Sequence, residues 1–135
     1  DSSADLSDQV LDRHHIALVP VQVTFGDDTY RDRVELRAEA FYRRMRESPV
    51  LPTTSQPAPA EFLRAFRDAR QAADETVAVL LSSALSGTFA AAQAAVRAGN
   101  LGGVYLEEQA LGAGQGARAR VLDLPQCVHV LKLSG

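Results

Sequence analysis

The chain has 135 residues, length enough for one compact domain with a buried core and little for two. With 46% hydrophobic and 23% charged residues it matches ordinary globular usage, which excludes a disordered chain. A formal charge of −3, with arginines interleaved among acids, excludes a nucleic-acid-binding stripe, and no run reaches the ~18 apolar residues of a membrane span.

The first residues are acidic and lack the basic, apolar pattern of a signal peptide, so stable membrane insertion is not expected. Cys127 is the single cysteine. That excludes an internal disulfide and a thiolate zinc cluster, and suits a reducing cytoplasm.

In chain order, residues 1–10 are rich in Ser and Asp and predict a loop entering a short helix that ends near His14 and His15. Residues 16–25 are β-branched and apolar, a strand bent at Pro20, and Gly26-Asp27-Asp28 turns the chain. Phe41, Tyr42 and Met45 at helical spacing predict an amphipathic helix over residues 38–47, stopped by Ser48-Pro49. Residues 51–59 carry three prolines and form an ordered loop.

Pro59 suits a first helical position, and Phe62, Leu63 and Phe66 give the helix that follows, to about Ala73, one apolar face. Residues 76–81 are a continuous apolar run, the pattern of a strand covered on both faces, and residues 87–98 are an Ala-rich helix. A further strand is expected at 104–106. Gly112, Gly114 and Gly116 then make a flexible turn before apolar stretches at 121–124 and 128–133.

Two segments carry chemistry. Ser82-Ser83-Ala84-Leu85-Ser86-Gly87-Thr88-Phe89 clusters hydroxyls where a strand turns into a helix, and a helix start offers unpaired N–H groups and partial positive charge to a carboxylate or phosphate. On this segment alone the commoner role of such a Ser86 is an N-cap, accepting from an N–H two or three residues on. Thr53-Thr54-Ser55-Gln56, stiffened by Pro52 and Pro57, offers three hydroxyls and an amide as a hydrogen-bonding rim, or a turn that satisfies only itself.

Asp1-Ser2-Ser3-Ala4-Asp5-Leu6, Phe41-Tyr42, Pro52-Thr53-Thr54-Ser55-Gln56-Pro57 with Pro59, and Ser82-Ser83-Ala84-Leu85-Ser86-Gly87-Thr88 resemble, in order and spacing, the successive motifs of the DegV family. The resemblance covers about the first hundred residues and fades over 101–135, the whole of 1–135 reading as the family's N-terminal, lipid-headgroup-binding domain. It implies an α/β, parallel-sheet three-layer domain. It further implies a cytoplasmic, bacterial, non-catalytic carrier that encloses a long-chain fatty acid and presents it to a fatty acid kinase.

By the same resemblance, Thr53, Thr54 and Ser55 lie beside the fatty-acid carboxylate and Ser86 with Gly87 bind it, while Ser83, Gln56 and Thr88 support them. No catalytic residue, metal or cofactor is implied; the fatty acid is the ligand. Neutral hydroxyls and N–H groups bind a carboxylate without the desolvation cost of a buried counter-charge, which agrees with that role.

The chain departs from the family pattern at several points. It starts at Asp1, where the family has a strand leading into the motif, so a first strand and a second domain are expected to be missing. Ala58 and Arg37 stand where a capping Ser or Thr is preferred, a loss of roughly 1 kcal/mol each. Leu106-Glu107-Glu108 replaces an expected Asp-Ser pair.

Other function classes are weaker. Ser86, Asp123 and His129 follow the chain order of an α/β serine hydrolase, but Ala84 and Thr88 occupy positions where the nucleophile turn needs glycine. A phosphate-binding module could use the same serine turn, yet neither hydroxyl motif holds a Lys or Arg for a doubly charged ligand. Adjacent His14 and His15 diverge in strand or helix alike, Asp27-Asp28 lacks the calcium-loop spacing, and Gly112-Ala113-Gly114-Gln115-Gly116 lacks a dinucleotide fingerprint.

Overall fold

The computed structural model describes residues 1–4 and 6–108. A 3-10 turn at Ser2–Ala4 precedes α1 (Asp8–Arg13), β1 (Gln22–Phe25), β2 (Asp28–Arg31), α2 (Ala38–Glu47) and β3 (Thr53–Ser55). There follow α3 (Pro59–Ala72), β4 (Thr76–Leu80), α4 (Thr88–Gly99) and β5 (Val104–Glu108). The α/β class holds, with β4 and β5 paired in parallel; a second, antiparallel sheet in the order β2-β1-β3 joins them. The glycine turn at 112–116, the apolar stretches at 121–124 and 128–133, Cys127, Asp123 and His129 lie outside the described residues.

The antiparallel sheet grows from a strand shorter than its sequence implies. Ahead of Gln22 the backbone is bound elsewhere: the Val19 carbonyl accepts the Ser2 N–H, and the Val21 N–H donates to Ser2 Oγ, each at 3.0 Å. Pro20 between them has no N–H to give a sheet. Gly26, at φ 60°, makes with Asp27 the two-residue turn that brings Phe25 opposite Asp28. Nothing in the periodicity of Asp28–Arg31 predicts the β2 strand.

Arg44 of α2 fastens this hairpin. Its guanidinium lies 4.9 Å from the Tyr30 ring centroid, donates to Tyr30 Oη at 2.6 Å and pairs with Asp28. Beneath it Val23, Phe25 and Leu36 are buried against Phe41, Met45 and Ala40, the inner face that the helical spacing of α2 predicts, except that Tyr42 is turned outward and 54% exposed.

A second core holds α3 and α4 against β4. Phe62 and Phe66, one turn apart with ring centroids at 5.8 Å, meet Val19, Leu80 and the fully buried Ala92 and Ala95. Small side chains on α4 let the two helices approach closely. A Cβ at Gly99 would stand 2.5 Å from Leu63 Cδ1, so a larger residue there would have to displace the Leu63 side chain.

The strand β4 is not covered on both faces as expected. Ala78 and Leu80 face the helices, whereas Val77 and Val79 on the opposite side are 43% and 59% exposed. A run of apolar residues reports the side chains, not which face has a partner. Among the described residues no helix is long and apolar enough to cross a membrane.

Candidate functional site

The site forms where the two motif loops meet. Thr53–Ser55, read from sequence as a loop, is the edge strand β3, paired with β1 in the register Gln22 to Ser55, Val23 to Thr54 and Thr24 to Thr53. Side chains alternate along a strand, so Thr53 and Ser55 share one side and Thr54 takes the other. All three are exposed.

After β3, Gln56 and the buried Pro57 lead into α3, whose N-cap is Ala58 and whose first helical residue is Pro59. After β4, residues 82–86 coil into a closed turn: the Ser82 carbonyl accepts from Leu85 and Ser86, and Ser82 Oγ accepts the Ala84 N–H at 3.3 Å. Ser82 is buried and Ser83 exposed on this turn. Gly87 is the N-cap of α4.

The loops touch at Gly87. A Cβ there would come within 3.0 Å of the Gln56 side-chain amide, so glycine allows the approach. Around that contact lies an open cavity of about 450 Å³, lined by Gln22, Ser55, Gln56, Pro57, Ala58, Pro59, Gly87, Ala90 and Ala91. No ionisable side chain is among these residues.

Two helix starts therefore open on one neutral cavity. Neither Ala58 nor Gly87 supplies a side-chain cap to its helix, and the same holds for Arg37 at α2; for Ala58 and Arg37 the departures from the family pattern predict this. Pro59 has no N–H, the Glu61 N–H donates to the Ala58 carbonyl and the Thr88 N–H to Ser86 Oγ; the other first-turn N–H groups and the partial positive charge of the helix starts are what an anion can use. Glu61, in the first turn of α3, is turned aside into an ion pair with Arg64.

Of the residues named from sequence, the cavity wall gathers Ser55, Gln56 and Gly87. Thr53 and Thr54 extend along β3 outside that wall. Ser86 is half-buried directly before Gly87; its Oγ accepts the Thr88 N–H at 3.2 Å and lies 2.9 Å from Thr88 Oγ1. The capping role foreseen as an alternative is thus present, although Gly87 and not Ser86 occupies the cap position.

Sequence reasoning missed Gln22, Ala90 and Ala91. The alanines were within reach, because residues three and four beyond Gly87 return to the same side of a helix. Gln22 carries no such signal; only strand pairing sets it beside Ser55.

The family model described as "Uncharacterised protein, DegV family" matches residues 1–120. The chain belongs to the DegV family. It is 37% identical over 95 residues to Protein DegV of Bacillus subtilis, covering 70% of this chain and 34% of that one. A DegV domain-containing protein of Deinococcus radiodurans is 35% identical over 140 residues, 98% of this chain and 50% of that protein. The chain thus spans about a third to a half of the curated DegV relatives it matches.

Among solved structures, a fatty-acid-binding DegV family protein from Thermus thermophilus superposes with a TM-score of 0.68 at 34% identity, over 78% of this chain and 38% of that one. DegV of Bacillus subtilis, described as a fatty acid binding protein, gives 0.69 at 32%, over 78% and 37%. A Streptococcus pneumoniae fatty acid kinase B3 protein loaded with linoleic acid shares the fold at 22% identity and a TM-score of 0.54. Among the described residues no group of three or more His, Cys, Asp or Glu could hold a metal ion.

Proposed function

We propose that this segment is the N-terminal, headgroup-binding domain of a cytoplasmic fatty-acid carrier, which holds the carboxylate of a long-chain fatty acid and passes it to a partner kinase without catalysing a reaction itself. The observation that carries the reading is the convergence on one cavity, free of ionisable side chains, of the α3 and α4 starts, whose cap residues Ala58 and Gly87 make no side-chain cap. Backbone N–H groups there, with Ser55 and Ser86 hydroxyls, supply donors that a single negative charge can use, and the site spends nothing on burying a cation. Thr53 and Thr54 edge the approach along β3, and Gln56 with Gly87 holds the loops together.

The carrier reading is favoured over a hydrolase because Ser86 is hydrogen-bonded to Thr88 and among the described residues to no histidine. It is favoured over a phosphate site because a doubly charged ligand calls for a Lys or Arg that the cavity wall does not provide.

Native mass spectrometry of the gently purified chain tests the proposal. The expected result is an adduct of fatty-acid mass, with no acyl phosphate formed when the chain is incubated alone with ATP and fatty acid. Acyl-phosphate formation by the chain alone overturns the carrier reading.

A further inference from the structure

The hydroxyl pair behind Gly87 has a direction. Thr88 is fully buried, and among the described residues its hydroxyl has one hydrogen-bond partner, Ser86 Oγ at 2.9 Å. Were Ser86 the donor in that pair, the Thr88 hydroxyl proton would be stranded in the interior with no acceptor, an arrangement folded proteins avoid. With Thr88 donating, its proton is satisfied and only a lone pair is left over. The half-buried Ser86 keeps its own proton free for a group at the surface.

Ser86 Oγ also accepts the Thr88 backbone N–H at 3.2 Å. A hydroxyl oxygen has two lone pairs, and Thr88 fills both, one from its backbone and one from its side chain. What remains to Ser86 is a single capacity, to donate.

We infer that Thr88 is a positioning residue that fixes Ser86 as an obligate donor and so selects an acceptor-only head group, an ionised carboxylate, over a head group that itself carries N–H donors. The inference rests on the proposed carboxylate site and adds its selectivity. An amide has the same shape as a carboxylate but presents an –NH₂ on one side. If the amide turns its carbonyl oxygen to Ser86, its –NH₂ faces the backbone N–H donors of the proposed site, and in the reverse orientation it faces a Ser86 that cannot accept, so in either orientation the –NH₂ goes unpaired.

The test titrates the chain with decanoate and with decanamide and reads the ratio of the two affinities. Wild type should favour decanoate, and Thr88→Val, which keeps the shape and removes the hydroxyl, should shrink the ratio about tenfold. Thr88→Ser should restore it. A variant that folds poorly lowers both affinities alike and leaves the ratio alone, so partial unfolding does not mimic the effect; Thr88→Ala serves if Thr88→Val does not fold. An unchanged ratio in folded Thr88→Val or Thr88→Ala overturns the inference. Ser86→Ala, run in parallel, separates the two levels. Weakened decanoate binding there with an unchanged ratio at position 88 sinks the selectivity alone, whereas unaltered decanoate binding in Ser86→Ala sinks the carboxylate site and this inference with it.

Discussion

The starts of α1 and of α3 and α4 differ in one respect. At α1, Ser7 accepts the Val10 N–H through its own side chain and Asp8 supplies an acid to the first turn, so the helix completes itself. At α3 and α4 the cap positions hold Ala58 and Gly87, which supply no side-chain cap, and of the α4 N–H groups Ser86 Oγ takes only that of Thr88. The self-sufficient helix is short and buries no residue, while the two incomplete ones are longer, hold the larger core and face a cavity. Packing of Phe62, Phe66, Ala92 and Ala95 stabilises α3 and α4 well beyond what a cap contributes, and that leaves their first turns free for another task.

The largest effect should come from removing that support. Phe62→Ala deletes a side chain only 1% exposed at the centre of the core and should cost about 3–5 kcal/mol. Thermal melting should show a large drop, and binding should be lost with the fold. A small change would mean that α3 is held by something other than this core.

Next come the hydroxyls offered to the ligand. Ser86→Ala and Thr54→Ala should each weaken fatty-acid binding by roughly an order of magnitude or more, the equivalent of about 1.5–3 kcal/mol for a hydrogen bond to a charged acceptor. Ser86→Ala should also lower the melting temperature slightly, since its Oγ accepts the Thr88 N–H. A lowered melting point with unaltered affinity would assign Ser86 to capping alone. Thr54 is the more exposed of the two bets, because β3 turns it away from Thr53 and Ser55.

A matched pair of cap substitutions inverts the comparison directly. Ser7→Ala should destabilise by ~1 kcal/mol and leave binding unchanged, and Ala58→Ser should stabilise by a similar amount. If the first turn of α3 serves the ligand, Ala58→Ser should also weaken binding, because an internal acceptor then competes for the same N–H groups. Stabilisation with no change in affinity would exclude α3 from the head-group site.

These contrasts also mark how far the sequence could be read. The helices α2 and α3 were legible because their spacing, with Phe41 and Met45 or Phe62 and Phe66, and their stops are local properties. The missing caps at Arg37 and Ala58 were equally legible. The antiparallel sheet was not, since β1 pairs with β3 across an intervening helix and nothing local in Thr53–Ser55 announces an edge strand. For the same reason Gln22 escaped notice. The serine turn and the threonine segment could be named, but that they meet through Gly87 and Gln56 is a fact of packing alone.

The smallest expected effect lies at a turn that, like α1, satisfies its own backbone. Glu35 accepts the Arg31 N–H at 2.8 Å and meets the Arg31 guanidinium at 3.3 Å. The backbone hydrogen bond first, then the side-chain one, hold its carboxyl below the usual carboxylate range. A carboxyl whose folded value is depressed adds stability above its unfolded pKa and loses it as the pH falls through the folded one. The group lies on the surface, so salt and water screen the gain and it should be slight. Glu35→Gln keeps an oxygen able to accept the Arg31 N–H and removes only the charge. Acid unfolding of the two proteins should therefore diverge slightly at neutral pH, with the variant less stable, and converge once the wild-type carboxyl is protonated. High salt should narrow the gap, and fatty-acid affinity should be the same in both. A difference that persists in acid would trace to altered turn packing and not to charge, and a change in affinity would break the separation between backbone groups the protein satisfies itself and those it leaves for a ligand.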